Sequence, residues 1–139
     1  MTEEIHDEDH VARYYLKRFM YTDGTPMPDA FKLRDGETYL SVNWLECFGM
    51  PTMEAGMACV REDFGRNHSI VRNARFAVLN VGNIKRTMEE SERIIYVKHL
   101  KEDDYPSHAS IEEYARDDES MIIILADIVG KNDVYQAKE

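Results

Sequence analysis

One segment of the chain, residues 75–82, restricts the possible fold more than any other. It reads Arg-Phe-Ala-Val-Leu-Asn-Val-Gly, so it is nearly all apolar, rich in β-forming residues and stopped by a glycine. A short apolar run without polar alternation is typical of a strand that is buried on both faces. The sequence therefore predicts a central strand here, in a sheet with other elements packed against it.

Further segments complete an α+β pattern. Strands are predicted at 38–43 and 93–100, with an extended segment at 10–20. Helices are predicted at 52–64, at 83–91 and along the apolar stripe of Met121, Ile124, Leu125 and Ile128. The spacing of Ser110 and Glu113 matches a capping box and predicts a further helical turn. We expect one small α+β domain with a central mixed sheet of about 3–5 strands and 3–4 helices.

The composition is that of a globular chain. Charged residues make up 32% and hydrophobic residues 43% of the 139 residues, which argues against disorder. Residues 1–9 contain five acids and few apolar groups, so they are predicted to form a flexible acidic N-terminal tail. No linker interrupts the remainder, and residues 10–139 are predicted to form a single α+β domain.

The chain is strongly acidic, because 27 Asp and Glu against 17 Lys and Arg give a net charge of −10. This charge disfavours direct binding to nucleic acids and to anionic membrane surfaces. No apolar run approaches the roughly 18 residues of a membrane span, and the acidic start is unlike a signal peptide. Cys47 and Cys59 fit no metal or disulfide spacing, so we expect a reduced, cytoplasmic protein.

The histidines give no recognisable metal motif. His6 and His10 would lie one turn apart on a helix and could share a metal. A structural site needs four fixed ligands with supporting contacts, and this segment is predicted to be a tail. The sequence therefore predicts neither a metal nor a cofactor.

Polar and apolar residues alternate along 40–46. In a strand this alternation places Ser41 and Asn43 on one face and the apolar residues on the other. The polar face, extended by Glu46, could bind a polar ligand, or it could face solvent and bond to neighbouring loops. Ser41 and Glu46 are candidate catalytic residues, and Asn43 and Trp44 are candidate binding residues.

Three more polar residues stand at the ends of predicted elements. Asn80 interrupts the apolar run at 75–82, where a buried amide needs partners and could pin a loop or line a pocket. Ser107 and His108 lie between a predicted strand and a predicted helix. His108 could act as a general base beside Ser107 as a binding residue, or the pair could cap the helix.

The segment 121–126 is apolar on every side, with the sequence Met-Ile-Ile-Ile-Leu-Ala. A helix of this kind is either fully buried or half of an interface. Because a small domain cannot easily cover every face of a helix, we expect Ile123 to contact a protein partner or a second copy of the chain.

Four blocks carry a resemblance to known proteins: HVARY at 10–14, YLSVNWLE at 39–46, FAVLNVG at 76–82 and PSHA at 106–109. Together they resemble a group of small bacterial proteins, which implies a bacterial, intracellular setting and no particular activity. The passage from Gly36 to Ser41 also resembles ADP-ribosyltransferase-type folds, in which a Leu-Ser strand follows a turn containing glycine. The sequence departs from that pattern because it shows no late catalytic glutamate on a predicted strand.

These features predict a protein-binding role rather than an enzyme. The expected function is that of a small acidic bacterial accessory or regulatory protein, such as an antitoxin, an inhibitor or a subunit of a defence or mobile-element system. The net charge of −10 and the apolar last helix support it. The alternative is an enzyme or sensor for a nucleotide-like small molecule, whose pocket would join Ser41, Asn43, Glu46, Asn80 and His108.

Overall fold

The computed structural model describes residues 2–114 and 118–138. Its strands are β1 (Glu3–Glu4), β2 (His10–Tyr15), β3 (Leu40–Trp44), β4 (Arg75–Asn80), β5 (Tyr96–His99), β6 (His108–Glu112) and β7 (Val134–Gln136). Its α-helices are α1 (Met53–Asn67), α2 (Val81–Glu90) and α3 (Glu119–Ile128). The strands form one antiparallel sheet in the order β1-β5-β6-β3-β2-β4-β7.

Each face of the sheet carries its own apolar core. Helices α2 and α3 cover one face, where Ile84 and Leu125 pack with Leu79 of β4. Helix α1 covers part of the other face, where Val60 packs with Val78 of β4. Strand β4 is therefore buried on both faces, as its apolar sequence predicts. It is the sixth of the seven strands, and β3 occupies the middle of the sheet.

The α+β class is confirmed, but the predicted mixed sheet of 3–5 strands is wrong. The described residues form seven strands, all antiparallel. Strands β1 and β7 contain only two and three residues, which is too short for a periodic pattern. The predicted helical turn at 110–113 is also wrong, because β6 pairs there with β3 and β5. Pairing on both sides outweighs a local capping signal.

Polar side chains set the starts of the helices. Thr52 Oγ1 accepts a hydrogen bond of 3.1 Å from the Ala55 N–H and begins α1, as predicted. The sequence predicts that this helix ends at residue 64, yet α1 continues to Asn67. Helix α2 begins after Asn80 rather than Asn83, because the Asn80 side chain accepts a hydrogen bond from the Asn83 N–H.

The segment before β2 is attached to the edge of the sheet, although its residues at 2–4 and 6–8 are exposed. Strand β1 pairs with β5 at the sheet edge, and Ile5 is buried in the core beside α2 and α3. Asp9 accepts a hydrogen bond of 3.0 Å from the Trp44 indole N–H. Ile5 is the one apolar residue between the acids of this segment that is buried in the core. Burying a single isoleucine side chain contributes about 1.5–3 kcal/mol to the stability of the fold.

The longest helix of residues 2–114 and 118–138, α1, has 15 residues. No helix in this part of the chain combines the length and apolar character that a membrane crossing requires.

Replacing Asp118 with alanine is expected to lower the free energy of unfolding by about 1 kcal/mol at pH 7. Asp118 caps α3 by accepting a hydrogen bond from the Ser120 N–H, and it forms an ion pair with Arg93. Hydrogen bonds from Arg93 and then from Ser120 lower the pKa of Asp118 from 3.8 to about 2. A lowered pKa stabilises the fold above pH 3.8, and this stabilisation is lost as the pH falls towards 2.

Urea unfolding at pH 7 and at pH 2.5 measures this prediction. The difference between wild type and Asp118→Ala should shrink at the lower pH. Asp127→Ala is the control, because Asp127 is exposed near the other end of the same helix. Equal stability of the wild type and Asp118→Ala at pH 7 would contradict the assigned cap.

Candidate functional site

Ser41, His108 and Glu102 form a continuous chain of hydrogen bonds on one face of the sheet. Ser41 Oγ lies 2.8 Å from His108 Nε2, and His108 Nδ1 lies 2.7 Å from Glu102 Oε1. The register of β3 and β6 produces the first contact, because Asn43 pairs with His108 and Ser41 lies two residues along the same face. The order hydroxyl, imidazole, carboxylate is that of a serine nucleophile with its base and orienting acid.

The hydrogen-bond network assigns the tautomer of His108. A carboxylate only accepts hydrogen bonds, so Nδ1–H donates to Glu102 and Nε2 is left to accept from the Ser41 hydroxyl. The Tyr105 ring stacks on the imidazole, with 4.6 Å between ring centroids and an interplanar angle of 12°. The imidazole is therefore held at two nitrogen atoms and across its plane.

The loop that precedes β6 brings Glu102 to His108. Glu102 and Tyr105 form an isolated β-bridge, and the His108 N–H donates a hydrogen bond of 3.0 Å to the Tyr105 carbonyl. The side chain of His108 is 13% exposed and that of Glu102 is 46% exposed. Of these two side chains, the Glu102 carboxylate is therefore nearer to solvent, and the His108 imidazole that contacts Ser41 is more buried.

Ser41 and Asn43 line a cleft of about 270 Å³. Arg34 and His68 lie on the same cleft. Burial lowers the pKa of His68 below its ordinary value of 6.5, and the positive charge of Arg34 and the nearby His108 lower it further. His68 is therefore uncharged at neutral pH. Arg13, Arg34 and Glu37 also line the cleft, so it carries two cationic side chains and one carboxylate.

A buried polar network supports the cleft from behind. Asn43 Nδ2 donates to Ser107 Oγ at 2.8 Å and to the Tyr105 hydroxyl oxygen at 3.1 Å. Burial raises the pKa of Tyr105 to about 12, so its hydroxyl stays protonated. The Ser107 N–H donates to Asp63 Oδ2 at 2.9 Å, and Asp63 is fully buried and paired with Arg66. Through Asn43, this network of amide, hydroxyl and carboxylate groups restrains the strand that carries Ser41.

A separate polar cluster holds the other candidate catalytic residue. Glu46 accepts hydrogen bonds of 2.7 Å from both the backbone N–H and the ring Nδ1 of His10. The centroids of the Trp44 and His99 rings lie 4.9 Å apart. His10 begins β2, so it does not lie one helical turn from His6.

The remaining candidates lie apart from Ser41. Asn80 caps α2, donates to the Asp7 carbonyl at 3.1 Å and lines a different cavity, beside His10. Ser107 is buried behind the cleft, and neither it nor His108 caps a helix. Ile123 is 46% exposed on α3. Ser41, Asn43 and His108 therefore converge, whereas Glu46, Asn80, Trp44 and Ile123 do not join them.

Sequence reasoning missed two members of the site, Tyr105 and Asp63, and did not single out Glu102 from the neighbouring acids. Asp63 could have been identified from the sequence, because it is an acidic residue next to Phe64 on the side of α1 that is buried. Glu102 stands in a run of three acids at 102–104, and nothing in that run distinguishes the one that contacts His108.

Comparison of the chain with protein families, with curated proteins and with solved structures finds no match. The candidate site therefore stands on its own geometry.

Proposed function

We propose that this chain is an acyl-transfer enzyme of the hydrolase type, with Ser41 as its nucleophile. The observation that carries the proposal is the hydrogen-bond chain from Ser41 Oγ through His108 to Glu102. A serine hydroxyl is a weak nucleophile until a neighbouring base can take its proton, and His108 Nε2 is in position to do so. Glu102 orients the imidazole and stabilises the imidazolium that forms.

The proposed reaction conserves protons at each step. Ser41 Oγ attacks the carbonyl carbon of an ester while His108 Nε2 takes the hydroxyl proton. His108 returns this proton to the leaving alcohol, and an acyl group remains on Ser41. A water molecule then attacks the acyl carbon, His108 takes its proton, and the carboxylic acid leaves as Ser41 regains its hydrogen.

The cleft favours a small substrate with negative charge. Its volume of about 270 Å³ is near the lower end for ligand pockets, which are roughly 300–1,000 Å³. Arg13 and Arg34 outnumber the one carboxylate on the cleft, Glu37. The aromatic side chains of Tyr14 and Phe64 also line it. A nucleotide-like acyl ester meets these requirements, as does a simpler anionic ester. We place the activity in the cytoplasm, where the thiols of Cys47 and Cys59 stay reduced.

Hydrolysis of 4-nitrophenyl acetate by purified protein tests the proposal. We expect Ser41→Ala to lower the rate to that of buffer alone. Ser91→Ala is the matched control, because Ser91 stands at the end of α2 and does not line the cleft, so this variant should keep wild-type activity. A wild-type rate no higher than that of Ser41→Ala would show that Ser41 is not a nucleophile.

A second candidate function is protein binding, which the exposure of Ile123 favours. The Ile123 side chain is 46% exposed, whereas Ile122 and Ile124 are partly buried and Val129 lies in the core. The surplus apolar surface of α3 is thus smaller than the sequence suggests, and it centres on Ile123. An acidic accessory protein that presents this residue would favour a partner with a basic surface.

Replacing Ile123 with lysine is expected to leave the protein folded and to weaken any association. Exposed positions tolerate charge, and removing an apolar contact from an interface lowers affinity. Sedimentation velocity of wild type and variant at high concentration measures self-association, and circular dichroism checks the fold. A monomeric wild type together with an unfolded variant would show that Ile123 serves the core.

A further inference from the structure

A cavity beside the end of β2 differs in charge from the rest of this acidic chain. Its volume is about 500 Å³, and it lies between residues 13–19 of the β2 end and residues 29–34 of the following loop. Four basic side chains line it, and Asp29 is its single acidic lining residue. The basic residues are Arg13, Arg18, Lys32 and Arg34.

Arg13 is the buried centre of this group, with 7% of its surface exposed. Its Nε donates to the Ala30 carbonyl at 3.0 Å, its Nη1 to the Ser41 carbonyl at 2.8 Å, and its Nη2 to the Lys32 carbonyl at 3.5 Å. These acceptors are all uncharged, and they take three of the five guanidinium N–H groups. Burial is the largest cause that lowers the pKa of Arg13, to about 10, so the group remains a cation at pH 7.

The hydrogen bonds of this buried cation all go to carbonyls, and Glu37 acts on it through charge alone, without a hydrogen bond. Arg13 therefore has no counter-charge in direct contact to offset its desolvation. In residues 2–114 and 118–138, no carboxylate forms an ion pair with Arg13. Arg18 and Lys32 line the same cavity as Arg13. An anion in the cavity would supply a counter-charge in direct contact with Arg13.

The positive charge continues outside this cavity. A second groove, of about 640 Å³, lies at the start of β4, which pairs with the end of β2. It is lined by Lys17, Arg72, Arg75 and Lys138, and no acidic side chain lines it. Basic residues thus concentrate at one end of a chain whose net charge is −10. Local potential at a cleft, rather than net charge, decides which small ions enter it.

We infer that the cavity binds the phosphate group of a small phosphorylated molecule. Guanidinium groups match phosphate oxygens with paired hydrogen bonds, and the Lys32 ammonium adds a point charge. Tyr14 and Phe19 line the same cavity and offer apolar surface to the organic part of the ligand. Arg18 already lies 4.9 Å from the centroid of the Phe19 ring, which places charge and aromatic surface together. This inference holds whether or not Ser41 is a nucleophile.

Titration calorimetry with inorganic phosphate and with pyrophosphate tests the inference, at an ionic strength held constant with chloride. We expect one saturable site per chain. Arg18→Gln and Lys32→Gln should each weaken binding about tenfold, as expected for loss of a charged hydrogen bond. Both side chains are exposed, so neither variant should unfold. Arg86→Gln removes the same charge from an exposed position on α2 and should bind like wild type.

Three results would overturn the inference. If neither phosphate nor pyrophosphate binds saturably, the cavity is not a phosphate site. An equal loss in Arg18→Gln and Arg86→Gln would show that only net charge matters. Binding of a single-stranded oligonucleotide without binding of phosphate or pyrophosphate would assign the basic end to an extended nucleic-acid surface instead.

Discussion

Replacing His108 with alanine is expected to slow ester hydrolysis about 10²–10⁴-fold, the range of a general base. His108 Nε2 lies 2.8 Å from Ser41 Oγ, and among the described residues it is the titratable side chain bonded to this hydroxyl. Steady-state kinetics should show the loss in kcat. Added imidazole should restore part of the rate, because a small base can occupy the space that the side chain leaves.

Two variants separate chemistry from structure in this experiment. His6→Ala removes an exposed histidine and should leave the rate unchanged. Glu102→Gln should produce a smaller loss than His108→Ala, because the imidazole keeps a neutral acceptor at Nδ1 but loses the charge that stabilises the imidazolium. A His108→Ala variant with the wild-type rate would contradict the assigned base.

Replacing Val78 with aspartate is expected to abolish folding. Val78 is 7% exposed and packs in the core beneath α1. An unpaired carboxylate in such a core costs several kcal/mol, against a total stability of about 5–15 kcal/mol. Circular dichroism and the yield of soluble protein measure the outcome.

Val71→Asp is the matched control for this substitution. Val71 is 53% exposed, so the same change should alter the melting temperature by only a few degrees. A soluble Val78→Asp protein that melts at the wild-type temperature would show that this face of β4 is not part of the core.

The polar face of β3 could be predicted because its signal is local. Alternation along the strand places Ser41 and Asn43 together, and both line the cleft. The partner strand could not be predicted in the same way. Ser110 matched a capping box, yet its hydroxyl donates a hydrogen bond to Glu112 within β6. Only the pairing of β6 with β3 brings His108 to Ser41, and no local pattern encodes that register.

The supporting residues depended even more on long-range contacts. Asp63 and Ser107 are separated by 44 positions and meet because α1 packs against the loop before β6. Arg13 appears in the sequence as one more basic residue in an aromatic segment. Its burial follows from three carbonyls contributed by residues at positions 30, 32 and 41. The net charge of the whole chain does not reveal such a site, because the basic residues of one cavity are outnumbered by acidic residues elsewhere.

Covalent labelling with a fluorophosphonate probe tests the proposed nucleophile most directly. Such probes phosphonylate a serine whose hydroxyl is activated by a neighbouring base and leave ordinary serines unmodified. Digestion and mass spectrometry of the labelled protein should place one phosphonyl group on Ser41, and labelling should disappear in both Ser41→Ala and His108→Ala. An unlabelled wild-type protein, or a label on Ser69 that persists in His108→Ala, would contradict the assignment of Ser41 as an activated nucleophile.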